Sequence, residues 1–265
     1  YSRFEFDPSP AVINIGTQPL YAPTGIITEA LARDSALSAD LADLGITVKF
    51  FPFLKGSDLN YFIEQGDIDG GFGGDMPALA AIANLKSTAV LLAQHGFTAV
   101  VSAEAVYGSE LRGKSIGYAP GSNAHHGLLV ALDGAGLSID DVNPIPMDSK
   151  DMQHAMTEGL IDAFATWDPF IGNAILENPD WNILSRSFSS GYFYLSDDLI
   201  SRHPAAASAL VAAGLRAIKL ARSGSENGHV LASWNAESAS EFYGDEFQLT
   251  ADDIWRISSE DLMGS

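Results

Sequence analysis

Asp75 and Asp168 stand where helices should begin. Asp75 follows the glycine-rich run 70–74, Asp168 follows "IDAFAT" (161–166) and Trp167, and each precedes a helix start that contains a proline. A carboxylate so placed either accepts the orphan N–H groups of a helix's first turn or pairs with the cation of a ligand beyond the strand ends. Pro169 after Asp168 has the cap-then-proline order of a helix N-terminus, so capping is the first expectation for both acids. Trp167 suits a core poorly, since it stands just past a strand end. It suits a ligand wall better, because indole brings area and one N–H donor. A third stretch, "APGSNAHHGLLVAL" (119–132), turns at Pro120-Gly121 and offers Ser122 and Asn123 as caps of a helix whose apolar face begins at Leu128. Such a start can hold an anion without lysine or arginine, because peptide dipoles and unpaired N–H donors both favour negative charge. His125 and His126 fall in its first turn, where the dipole disfavours imidazolium. One is expected as a neutral donor and the other as packing.

The elements that must position these residues occur twice. "QGDIDGGFGGDMP" (65–77) lies over "EGLIDAFATWDPF" (158–170) at one constant offset, so that Gly66 meets Gly159, Asp69 meets Asp162 and Asp75 meets Asp168. Strands are expected at 12–16, 46–53 and 68–74, with helices over 25–44, 58–64 and 77–84. The second set has strands at 114–119, 142–147 and 161–166, with helices over 123–135 and 150–158. Alternating elements with nearly continuous apolar strands predict an α/β fold of parallel sheets covered by helices. Ligands then lie beyond the carboxyl ends of the strands. The strand-like run 87–103, with a break at Gly96, and "GYFYLS" (191–196) read as two crossings between lobes. Lobe one is expected at 1–98 and 195–265 and lobe two at 99–194. The segment from Pro204 to about Tyr243 reads as helical, broken by "RSGSENG" (222–228) and packed on the first lobe.

Composition excludes whole classes of function. The chain has 265 residues, 46% of them hydrophobic, which is ample for a packed core. Only 14 basic residues face 34 acidic ones, for a net charge of −20, so nucleic acids and anionic membrane surfaces are poor partners. That charge is also what a soluble protein of a salty habitat carries. There is no cysteine, hence no disulfide, thiolate metal site or cysteine nucleophile. No apolar run approaches the roughly 20 residues of a membrane span. An exported form would have lost its signal ahead of Tyr1.

Two motif matches fail on context. "GSELRGKS" (108–115) fits the phosphate-loop pattern, but Lys114-Ser115 opens a strand where that loop requires a helix. "GGFGGDMPA" (70–78) nearly fits a calcium-binding nonapeptide, yet Pro77 replaces the large aliphatic and the repeat is single. No metal or cofactor site is expected.

"GGDMPALAAI", "LRGKSIGYAPGSNAHHGLL", "AGLSIDDV" and "EGLIDAFATWDPF" together resemble the periplasmic solute-binding proteins of nitrate/sulfonate/taurine-type ABC importers, over about residues 12–200. The resemblance implies a two-lobed Venus-flytrap fold with a cleft between the lobes. It implies a monomer outside the cytoplasm that binds a small organic anion or zwitterion, delivers it to ABC permease transmembrane subunits and catalyses nothing. Carried onto this chain, the ligand-binding positions are Gln18, Tyr21, Gly74, Asp75, Ser122, Asn123, His125, Trp167 and Asp168. None is a lysine or arginine, so an anion must rely on helix starts and neutral donors. An ammonium on the ligand could pair with Asp75 or Asp168, which favours a zwitterion such as taurine. The same fold serves pyrimidine-precursor binding proteins and thiamin-pyrimidine synthases that consume a histidine, which the His125-His126 pair keeps open as an alternative. Nitrate or bicarbonate binding, and a sensor module, are further alternatives.

Overall fold

The computed structural model describes residues 1–244 and 249–263. The chain divides into two compact units, Tyr1–His95 with Ser190–Ser265, and Gly96–Ser189. In chain order the elements are β1 (Val12–Thr17), α1 (Thr24–Ala32), α2 (Ser35–Asp43), β2 (Thr47–Pro52), α3 (Gly56–Gln65), β3 (Gly70–Gly74), α4 (Asp75–Asn84) and β4 (Ser87–Ser102). They continue with β5 (Ser115–Tyr118), α5 (Asn123–Gly134), β6 (Asn143–Pro146), α6 (Ser149–Thr157), β7 (Ala163–Trp167), α7 (Phe170–Glu177) and β8 (Asn182–Ser196). Four helices follow: α8 (Asp197–Arg202), α9 (Pro204–Ala221), α10 (Ser225–Tyr243) and α11 (Ala251–Met263).

In the first unit the strand order is β2-β1-β3-β8, and in the second it is β6-β5-β7-β4. β1 runs parallel to β2 and β3, and β5 runs parallel to β6 and β7. The fourth strand is antiparallel in each, β8 on β3 and β4 on β7. Each unit is a mainly parallel sheet flanked by helices, and the duplication seen in sequence is a duplication of topology. β4 and β8 each begin in one unit and end in the other.

The first unit's sheet is buried on both faces, as its apolar strands require. Ile13, Ile15, Phe72, Phe193 and Leu195 pack with α1 and α9 on one side. Tyr194, between Phe193 and Leu195, points the other way into a cluster with Phe51, Phe53, Leu59 and Ile63. α9 is long and apolar enough to cross a membrane by length and composition, but Ala206, Leu210, Ala213 and Ala217 are buried in this core.

Three expectations are corrected. The helix expected over 25–44 is two helices, because Asp34 takes an extended backbone and caps α2, accepting the Leu37 N–H at 3.0 Å. Gly96 does not break β4, which runs unbroken for 16 residues. The tail's break is shorter than 222–228, since Ser225 already begins α10.

The repeated glycines and first aspartates serve as local stops and clamps. Gly66 and Gly159 sit at φ 81° and 70°, a left-handed conformation that ends α3 and α6 without a Cβ clash. Asp69 Oδ2 accepts the Asn14 N–H at 2.8 Å while its own N–H donates to the Asn14 carbonyl at 2.8 Å. Asp162 does the same to Ser115, at 2.7 and 2.8 Å. Each acid thereby ties the opening of a third strand to the first strand. Each also has a cation beside it, Arg202 at 3.2 Å from Asp69 and Lys114 at 3.5 Å from Asp162.

Candidate functional site

In a doubly wound unit the strand ends leave a crevice where loops and helix starts present polar groups. In the first unit the chain leaves β1 at Thr17 and turns at once. The Tyr21 N–H donates to the Gln18 carbonyl at 3.0 Å, and the Gly25 N–H to the Tyr21 carbonyl at 2.9 Å. Gln18 is buried and its Nε2 donates to the Phe72 carbonyl of β3 at 2.7 Å. Gly74 closes β3, and Asp75 opens α4 two residues before Pro77, where the helix was expected to start. Asp75 Oδ1 accepts from the adjacent Met76 N–H at 2.8 Å and Oδ2 from the Ser190 N–H of β8 at 3.3 Å.

Around Asp75 stand polar residues absent from the sequence-based set. Ser190 Oγ lies 3.0 Å from His95 Nδ1. Gln94 accepts from the Thr24 hydroxyl at 2.7 Å and donates to the Ala22 carbonyl at 3.2 Å. Gln94 and His95 lie in the run 87–103, which read only as a crossing, and Ser190 lies just ahead of the second crossing run, 191–196. The sequence carries no signal for Gln94, since in the same run the apolar Leu92 and Phe97 are exposed and the polar Gln94 is buried.

In the second unit the start of α5 is built as its sequence predicts. The Ser122 hydroxyl donates to the Ala119 carbonyl at 2.7 Å and accepts the His125 N–H at 3.1 Å, which fixes it as the cap. Asn123 is buried, and its Nδ2 donates to Ser189 Oγ. The His125 ring lies against Tyr118, centroids 4.7 Å apart, and its Nδ1 accepts the Gly121 N–H at 3.3 Å. That acceptor role puts the proton of the neutral ring on Nε2. Burial, and secondarily neighbouring His126, holds the His125 imidazole below the usual histidine range, in line with its expected neutral form. His126 is exposed.

Trp167 is the last residue of β7 rather than a residue beyond it, and only 6% exposed. Its ring meets Phe170 edge-on at 6.0 Å. Asp168 acts as a cap from one residue further back than expected. Its Oδ1 accepts the Gly172 N–H at 3.0 Å, with Pro169 between it and α7. Gln18, Tyr21, Gly74 and Asp75 thus gather at the carboxyl ends of β1 and β3. Ser122, Asn123, His125, Trp167 and Asp168 gather at those of β5 and β7. What each group offers is a set of neutral donors and carboxylates without a cation.

The profile of the NMT1-like family matches residues 8–236. A curated protein of Escherichia coli (strain K12), provisionally named an aliphatic sulfonates-binding protein, is 30% identical over 143 residues, which is 49% of this chain and 43% of that protein. The chain spans about half the length of the curated relatives it matches. Among solved structures, the alkanesulfonate-binding protein SsuA from Xanthomonas axonopodis pv. citri, bound to MOPS, superposes with a TM-score of 0.74 at 21% identity, covering 96% of this chain and 86% of that one. The periplasmic aliphatic sulphonate binding protein SsuA from Escherichia coli gives 0.72 at 22% identity, covering 96% and 84%. The fold is that of these periplasmic binding proteins.

Proposed function

The chain belongs to the NMT1-like family, and on that premise we propose that it is the solute-binding protein of an ABC importer, taking up a small organic anion of the aliphatic sulfonate class outside the cytoplasm and releasing it unchanged to permease subunits. The observation that carries the ligand class is the start of α5. A capped helix N-terminus, the Asn123 amide and a low-pKa neutral His125 meet there without lysine or arginine. Such a site suits a weakly basic, well-delocalised anion, which needs several directed donors more than one strong countercharge. The names of the sulfonate-binding relatives point the same way. Asp75 and Asp168 already accept backbone N–H groups. An ammonium on the ligand is therefore optional, and plain alkanesulfonates rank with taurine.

Calorimetric titration with ethanesulfonate, taurine, a sulfate ester, nitrate, bicarbonate and a pyrimidine tests the class. One equivalent of a sulfonate should bind, raise the melting temperature by mass action and be recovered chemically intact. Binding of a pyrimidine or an inorganic anion alone would overturn the sulfonate reading, and consumption of the ligand would overturn the transport role.

A further inference from the structure

The first unit holds a cavity that none of the expected ligand positions lines. Its volume is about 520 Å³, within the size range of small-molecule sites. Two helices end beside it. Ala32 and Arg33 come from the end of α1, and Ser238, Glu241 and Phe242 from the last turns of α10. Beneath them lies the sheet edge, where Thr17 of β1 pairs with Pro52 of β2 and Phe50 stands two residues back on the same face. The N-terminal segment contributes Arg3.

The deeper charges of this cavity are satisfied. Glu29 of α1 is buried, pairs with Arg33 and is hydrogen-bonded by Ser238. Arg33 also lies over the Trp234 ring, 4.9 Å from its centroid. The outer charges are not satisfied. Arg3 is exposed, donates to the Phe242 carbonyl at 2.8 Å and stands 5.0 Å over the Phe242 ring, which fixes the guanidinium and leaves most of its donors over. Glu241, the residue before Phe242, is exposed as well. Among the described residues neither Arg3 nor Glu241 has an ion-pair partner, and the two do not pair with each other. Opposite charges held apart on one cavity leave a place for a molecule that carries both.

We propose that this cavity is a second small-molecule site, taking an apolar α-amino acid as its zwitterion, with the carboxylate on Arg3, the ammonium at Glu241 and the side chain against Phe50 and Phe242. The planar fork of a guanidinium matches a carboxylate. The ammonium is met by Glu241 and by the carbonyl end of α10, whose dipole favours positive charge. A plain anion would gain from Arg3 but face Glu241, and a plain cation would face Arg3. This site shares no residue with the proposed sulfonate site and stands or falls apart from it.

Phenylalanine, 3-phenylpropionate and phenethylamine are titrated by calorimetry into the wild type, Arg3→Gln and Glu241→Gln, and the ligand-free melting temperature of each protein is recorded. Glutamine in place of Arg3 keeps a donor for the Phe242 carbonyl, and in place of Glu241 it keeps the length of the side chain, so both variants should melt near the wild type. One equivalent of phenylalanine should bind, more tightly than either analogue that lacks one of its charges. Each variant should weaken phenylalanine binding about tenfold or more. Arg3→Gln should weaken 3-phenylpropionate and spare phenethylamine, and Glu241→Gln should do the reverse. The analogues test both charges on the wild type, without recourse to a variant. Absence of phenylalanine binding, equal affinity for phenylalanine and 3-phenylpropionate, or unchanged phenylalanine affinity in either variant would overturn the proposal. Displacement of phenylalanine by ethanesulfonate would overturn it too, by placing the amino acid at the sulfonate site.

Discussion

Asp69 and Asp162 open the third strand of their respective units and make the same two bonds to the first strand. Asp75 and Asp168 close those strands at equally matched positions and do different work. Asp75 reaches sideways to the return strand at Ser190, whereas Asp168 reaches forward into its own helix at Gly172. The duplicated units share the bonds of the aspartate that opens each third strand and differ in the bonds of the aspartate that follows it. Strand openings are constrained by backbone geometry that both units share. Strand ends are constrained by what passes in front of them, and that differs between the units.

The largest effect should come from breaking the shared clamp. Asp69→Ala leaves the Asn14 N–H without its carboxylate and Arg202 with Asp198 as its remaining partner, at a cost of about 2–3 kcal/mol for charge-assisted bonds. Asp162→Ala should cost less, about 1 kcal/mol, because its side chain is 45% exposed against 16% for Asp69, and water replaces what is lost. Chemical denaturation measures both, and equal losses would show that exposure does not set the difference. A Cβ at Gly127 would overlap Thr98 Oγ1, so Gly127→Ala should cost about 1–3 kcal/mol by forcing α5 off Thr98, and Thr98→Ala should recover most of it in the double variant.

The second pair gives smaller effects. Asp168→Ala should lose about 1 kcal/mol of helix capping and Asp168→Asn almost none, since asparagine caps comparably. At Asp75 the order is set by the bond to Ser190 instead. Asn offers only one acceptor oxygen, so Asp75→Asn should cost more than Asp168→Asn, and thermal unfolding of the two asparagine variants would expose the reverse order.

The smallest effect concerns pH and the first unit alone. Burial pushes the carboxyls of Glu29 and Asp69 above the usual range, against the pull of Arg33 and Arg202. A raised carboxyl binds its proton more tightly when folded. Its favourable contribution is therefore greatest below the ordinary carboxylate pKa and is lost as pH rises through the raised value. The stability of Glu29→Gln relative to the wild type should accordingly rise across that window and level off above it. A flat difference between the two melting curves from pH 4 to 8 would contradict the burial of this group.

Much of this architecture was legible because its signals are local. Gly66 and Gly159 announce helix ends by themselves, and Ser122 announces a helix start whose bonds lie within a few residues. The partners of Asp75 were not legible, because Ser190 arrives from a strand far along the chain. The break at Asp34 was hidden by apolar spacing that continues through it, and only the cap geometry separates α1 from α2.

The aspartate clamps have a consequence for isotope exchange. A strand's opening residues usually fray, and their amides trade hydrogen for deuterium through small local openings. The Asn14 and Ser115 amides donate to the Asp69 and Asp162 carboxylates, and the return bonds from the aspartate N–H groups hold those carboxylates in place, so a parted amide bond re-forms quickly. These two amides should outlast their strand neighbours in deuterated solvent. Because one lies in each unit, their relative lifetimes report separately how often each sheet opens.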